Sequence, residues 1–185
     1  PVGTEDFEKD LAAVRRTPYR TLMVAKSEDA SAMGEALADF TVVALLETAL
    51  GVVRAPEIAQ LSCVAALMWG AEDLMASLGG DSSRGPDGTY PGVARHARAA
   101  VLLAAGAFGK GAVVSIYGNI GDTQGLEAEA RDAAASGFAA KACIHPGQVA
   151  SVRAAYAPSE DEVAYAADVI AEAANHGGVF NFRGE

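Results

Sequence analysis

Cysteine is scarce in this chain. Only Cys63 and Cys143 occur among 185 residues, so no disulfide framework holds the fold and an apolar core must do so. Both thiols sit in apolar stretches, where a buried free cysteine is commoner than a bridge, and both are expected to be buried and reduced. Positive charge is also short: 14 Lys and Arg against 24 Asp and Glu leave a formal charge of −10, which argues against nonspecific nucleic-acid binding through clustered cations. A small anionic ligand stays possible, because Arg84, Arg95 and Arg98 form a local basic group, with a solvated helix face as the plain alternative. No uncharged apolar run reaches the about 18 residues of a membrane span. The residues after Pro1 carry no basic region followed by an apolar signal core. A cytoplasmic protein with neither nucleic-acid nor membrane partners is therefore expected. Low-complexity sequence is nearly absent too, and with 51% apolar residues the chain can build one domain with a sizeable core, which excludes disorder.

What is present is an alternation of β-branched apolar segments with alanine-rich ones, the pattern of βα units around a parallel sheet. Strands are predicted at Thr21–Ala25, Val42–Glu47, Ala65–Trp69, Ala112–Tyr117 and Ala140–Ile144. Helices are predicted at Glu5–Arg15, Ala30–Leu37, Arg54–Leu61, Tyr90–Phe108, Leu126–Ser136 and Glu160–Ala174. Thr4 is placed to cap the first, whose Phe7, Leu11 and Val14 share a face, and Ser159 to cap the last ahead of Glu160-Asp161-Glu162. Five strands do not close an eight-stranded barrel, which usually takes about 250 residues. Pro1-Val2-Gly3-Thr4 reads as a loop entered from a preceding strand, so the chain is expected to begin inside a domain. An open five-stranded α/β sheet is the competing architecture. The glycine- and serine-rich stretch Gly79–Gly88 reads as a long loop, either covering a site or simply connecting elements at the surface.

Two apolar runs end in carboxylates. Leu45-Leu46-Glu47-Thr48-Ala49-Leu50-Gly51 and Met68-Trp69-Gly70-Ala71-Glu72-Asp73-Leu74 place Glu47 and Asp73 26 residues apart, about one strand, helix and strand of a parallel barrel. Side by side at neighbouring strand ends, they would suit a hard divalent cation such as Mg²⁺, which takes oxygen ligands and keeps waters that a substrate can displace. An isolated pair of such acids more often caps helices. Glu72 would point to the opposite side of an extended strand end and is the weaker candidate. Gly70 and Ala71 are small enough for an anion to approach the backbone closely, as a tight strand-to-helix turn would also require.

A third segment, Gly137-Phe138-Ala139-Ala140-Lys141-Ala142-Cys143-Ile144-His145-Pro146-Gly147-Gln148, follows Gly121-Asp122-Thr123-Gln124-Gly125-Leu126. In this order and spacing the four segments resemble the family of the citrate lyase β-subunit, malyl-CoA lyase and the 2-keto-4-hydroxy-acid aldolases, and the resemblance covers essentially the whole chain. It implies a (β/α)8 TIM barrel, of which residues 1–185 form a single partial domain with about five strands and a C-terminal extension from about residue 150. It also implies a homotrimer, with Mg²⁺ held by Glu47 and Asp73 and the α-keto acid bound at Gly70, Ala71 and Glu72. The implied activity is cleavage of a citryl-, malyl- or citramalyl-type 3-hydroxyacyl-CoA to acetyl-CoA and an α-keto acid. A CoA-independent aldolase and a noncatalytic homologue are the alternatives. The family's essential arginine and lid aspartate would fall before Pro1 and just after Glu185, so no catalytic residue is assigned.

The chain departs from the family pattern where Val114 and Asn119 stand near usual aspartates, which favours the noncatalytic alternative or a changed substrate. Asp122 is expected to cap the following helix. His145 is expected to be structural, and His96 and His176 to lie on the surface. Lys26 is expected to line the site or form an ion pair, because Schiff-base chemistry would need a buried lysine and this family relies on metal. Trp69 is expected in the core.

Overall fold

Apolar strands and alanine-rich helices do alternate along the chain; a computed structural model describes residues 1–184, and Glu185 lies outside the described residues. Five strands form one parallel sheet: β1 (Thr21–Val24), β2 (Thr41–Leu46), β3 (Val64–Trp69), β4 (Gly111–Val114) and β5 (Ala140–Lys141). The helices among the described residues are α1 (Phe7–Arg15), α2 (Ala30–Ala36), α3 (Ala49–Val53), α4 (Ala55–Ala59), α5 (Ala71–Ser77), α6 (Gly92–Ala107), α7 (Thr123–Ser136), α8 (Val149–Tyr156) and α9 (Glu160–Ala173).

Strand order in space is the order in sequence, β1-β2-β3-β4-β5. Every crossover therefore steps the same way, and right-handed connections put their helices on the same side. Burial agrees. Val42, Ala44 and Leu46 of β2 are buried, while Thr41, Val43 and Leu45 between them are exposed or half-buried. The buried set joins Leu67, Trp69, Ala112 and Val114 with Met33, Leu37, Ile58 and Val101 from the helices in one core. On the other face of the sheet Met23 is exposed.

Several element ends differ from expectation, each for a local reason. β4 stops at Val114 and not at Tyr117, because the carbonyls of Ser115 and Tyr117 accept hydrogen bonds from the side chains of Lys141 and Gln148 instead of entering a ladder. β5 stops at Lys141, and the Ile144 N–H goes to Gln148 Oε1. α7 starts three residues early because Asp122 caps it, accepting the Gly125 N–H at 2.9 Å. Thr4 does not cap α1; its hydroxyl donates to the Pro1 carbonyl, and the N-cap position falls to Asp6 without a side-chain bond. Ser159 does cap α9, in a full capping box with Glu162. The short helices α3, α5 and α8 were not predicted.

Cys63 is buried as expected, but Cys143 is exposed, because β5 has already ended and the chain there runs over the surface. Trp69 is fully buried and meets Tyr90 edge to face at 5.1 Å between ring centroids.

Candidate metal centre

Glu47 follows the last residue of β2, and the pleat turns it to the same face as Val43 and Leu45. It is nevertheless only 6% exposed, because the ends of β1 and β3 close over it. From β1, Lys26 adopts φ 50, in the left-handed region unusual for a residue with a side chain, and its N–H donates to Glu47 Oε1 at 3.1 Å. Ser27 holds that bend with two bonds, its N–H to the Leu45 carbonyl at 3.0 Å and its hydroxyl to the Val24 carbonyl at 2.8 Å. From β3, Gly70 donates its N–H to the Leu46 carbonyl at 3.0 Å, and a Cβ on Gly70 would lie 2.9 Å from Glu47 Cβ. Glycine is thus required at position 70 by the close approach of Glu47.

Asp73 is not on a strand end. β3 stops at Trp69, Gly70 is the N-cap residue, and Asp73 lies in the first turn of α5. From there its charge acts on Glu47: the Glu47 pKa is raised above the ordinary 4.5 by burial first and then by the nearby Asp73 carboxylate. The Lys26 amide and charge oppose the shift without cancelling it. Two carboxylates, with the charge of Lys26 as the positive influence on Glu47, form an oxygen donor set of the kind that fits Mg²⁺. Among the described residues no group of three or more His, Cys, Asp or Glu side chains is arranged around a metal.

Glu72 lies in α5 and not at a strand end, and its Oε1 accepts the hydroxyl of buried Ser83 at 2.6 Å. That bond ties the Gly79–Gly88 loop to α5. The Ala71 N–H is engaged as well, donating to Ser115 Oγ at 3.1 Å. The first-turn N–H groups of Glu72 and Asp73 have no acceptor within the helix.

Arg84, Arg95 and Arg98 do line one cavity, where two of them are paired with acids: Arg84 binds Glu129 at 2.7 Å and lies against the rings of Tyr90 and Tyr117, and Arg98 binds Asp132 at 2.7 Å. His145 caps the turn that follows it, its Nδ1 accepting the Gly147 N–H at 3.0 Å. His96 and His176 are exposed. Val114 is fully buried among the helices, and Asn119 is exposed.

Residues 4–146 match the family model described as HpcH/HpaI aldolase/citrate lyase. The chain belongs to this family. Over 183 residues it is 49% identical to a citrate lyase subunit beta-like protein of Mycobacterium tuberculosis, covering 99% of this chain and 67% of that one. It is 34% identical to a (3S)-malyl-CoA thioesterase of Cereibacter sphaeroides, across 95% of this chain and 62% of the relative. Among solved structures, the CitE protein of M. tuberculosis in complex with magnesium, acetoacetate and coenzyme A superposes with a TM-score of 0.88 at 49% identity, over 99% of this chain and 68% of CitE. The citrate lyase β subunit of the same organism with oxaloacetate and magnesium gives 0.82 at 52% identity, over 85% and 70%.

Within this HpcH/HpaI aldolase/citrate lyase chain, sequence reasoning missed Ser115, Lys141 and Gln148. Only Lys141 left a signal, a charge inside the apolar run Ala139–Ile144. Its side chain is wholly buried, donating to the Ser115 carbonyl at 2.8 Å and to Glu129 Oε1 at 2.7 Å.

Proposed function

We propose that this chain carries the Mg²⁺ site of a carbon–carbon lyase that cleaves a 3-hydroxyacyl-CoA to acetyl-CoA and an α-keto acid. The observation that carries the reading is buried Glu47, packed against a glycine that leaves it room and acted on by the charge of Asp73. Glu47 and Asp73 would hold the ion, and Mg²⁺ supplies Lewis-acid polarisation and a template for the keto acid. The turn Gly70-Ala71-Glu72 faces the substrate. Its small residues admit a carboxylate to the backbone, and the free first-turn N–H groups at Glu72 and Asp73 supply donors. In cleavage the hydroxyl gives up its proton, its oxygen becomes the keto carbonyl, the C–C bond breaks, and the acetyl-CoA enolate is protonated. CoA and keto-acid binding by the CitE structures supports the substrate class, and a citramalyl-CoA lyase of mouse, 35% identical over 126 residues, supports the reaction.

The monotonic strand order, with helices on one face, supports placing this sheet in a (β/α)8 barrel, because an open doubly wound sheet reverses its strand order and carries helices on both faces. A homotrimer in the cytoplasm completes the reading. No helix among the described residues is long and apolar enough to cross a membrane.

The test is an assay with Mg²⁺ and malyl-, citramalyl- and citryl-CoA that follows acetyl-CoA and keto acid separately from free CoA thiol. Formation of both products, lost in Glu47→Ala and Asp73→Ala, is expected. Release of CoA thiol without acetyl-CoA would favour thioester hydrolysis, the activity named for the C. sphaeroides relative. An activity untouched by both substitutions would remove the site assignment.

A further inference from the structure

Helix α5 begins on Gly70, a residue with no side chain to cap it. The cause is the close approach of Glu47: any Cβ at position 70 would collide with it. The turn that carries Asp73 therefore has no side-chain cap of its own, and its first amide, the Ala71 N–H, is held from outside the helix. Its acceptor is Ser115 Oγ, 44 residues away in sequence and 1% exposed.

Ser115 is itself held from behind. Its carbonyl accepts the Lys141 ammonium at 2.8 Å, and two residues on the Tyr117 carbonyl accepts Gln148 Nε2 at 2.9 Å. Both donors come from the β5 side, and both are buried. Lys141 is fixed in turn by Glu129 at 2.7 Å, the carboxylate that also takes Arg84. A wholly buried lysine costs desolvation unless paired and hydrogen-bonded, and these bonds satisfy it. One chain of contacts thus runs from α7 through β5 and the end of β4 to the first turn of α5, where Asp73 sits two residues after the bonded amide.

We infer that Ser115, pinned by Lys141 and Gln148, is a positioning residue for Asp73, holding the first amide of α5 from just past the end of β4. The inference rests on the reading of Glu47 and Asp73 as Mg²⁺ ligands. Ser115 touches neither ion nor substrate; it sets the orientation of the turn that carries the ligand.

The experiment titrates Mg²⁺ alone into the full chain by calorimetry, beside thermal melts and amide exchange at Ala71, for wild type, Ser115→Ala and Asp73→Asn. Ser115→Ala is expected to weaken Mg²⁺ binding about fivefold, the size of one lost hydrogen bond. It should also speed exchange of the Ala71 amide and leave Tm within a few degrees, while Asp73→Asn abolishes binding. A purely structural serine would lower Tm and leave the affinity of the folded protein unchanged. Ser115→Cys, close in size but with a weak sulfur acceptor, carries the same comparison if the alanine variant does not fold, with a two- to threefold loss of affinity expected. Wild-type Mg²⁺ affinity in the serine variants alongside loss in Asp73→Asn overturns the positioning role alone. Wild-type affinity in Asp73→Asn overturns the metal reading, and this inference with it.

Discussion

Adding one methyl group at Gly70 tests the centre most directly. The backbone there has φ −115 and ψ 111, ordinary extended geometry that suits alanine, so any effect of Gly70→Ala comes from space and not from conformation. The new Cβ would lie 2.9 Å from Glu47 Cβ, 3.3 Å from Glu47 Oε2 and 3.4 Å from Leu45 Cδ1. The nearest of these is fixed to the backbone and cannot rotate away, so the ends of β2 and β3 must separate by about 0.5 Å to reach ordinary contact. Overpacking of this kind costs about 1–3 kcal/mol. The stiffer unfolded chain offsets about 0.4–1 kcal/mol of that, leaving a net loss of about 1–2 kcal/mol. For a chain of this size each kcal/mol moves Tm by about 2–4 °C, so the metal-free variant should melt about 2–8 °C lower. The larger consequence is for the ion. Mg²⁺ at a hundred times its Kd stabilises a fold by about 2.7 kcal/mol. Because it demands near-octahedral geometry, displacement of Glu47 should weaken binding at least tenfold, or about 1.4 kcal/mol, and so halve the stabilisation. Differential scanning fluorimetry with and without Mg²⁺ measures both effects. A Gly70→Ala protein with wild-type Tm and the full Mg²⁺ shift would refute the close packing of Glu47 on Gly70 and the role of Glu47 as a ligand.

Burial and the charge of Asp73 raise the Glu47 pKa, so the ionised carboxylate is the penalised form in the metal-free fold. Its contribution is most favourable below the ordinary 4.5 and is lost as pH rises through the raised folded value; Glu47→Gln should flatten that slope in Tm against pH, raise Tm near neutrality and abolish the Mg²⁺ shift. Cys143 is exposed and Cys63 buried, so a thiol reagent should label one cysteine quickly in the native protein and the second only on denaturation; two fast equivalents would contradict the burial of Cys63. α9 holds no buried residue, so Ser159→Ala should speed amide exchange along α9 while leaving the global melting temperature unchanged, and a clear fall in Tm would show that the helix is coupled to the core.

The place of Glu47 at a strand end was legible because a carboxylate that ends an apolar run is a local signal. What failed to show was that Asp73 lies in a helix. A seven-residue helix such as α5 makes fewer than two full turns, too few for a hydrophobic period to appear, so the segment read as the end of a strand. α3 escaped for the same reason, although Thr48 caps it. Strand ends were overrun where apolar residues continue past the ladder, since hydropathy reports burial and not which partner takes each carbonyl. Ser115 shows the limit most clearly. Nothing in Val113-Val114-Ser115-Ile116 marks its hydroxyl as the acceptor of an amide 44 residues earlier, because that contact arises only when the end of β4 and the start of α5 come together in the fold. The turn that carries Asp73 is thus held by residues that carry no motif of their own.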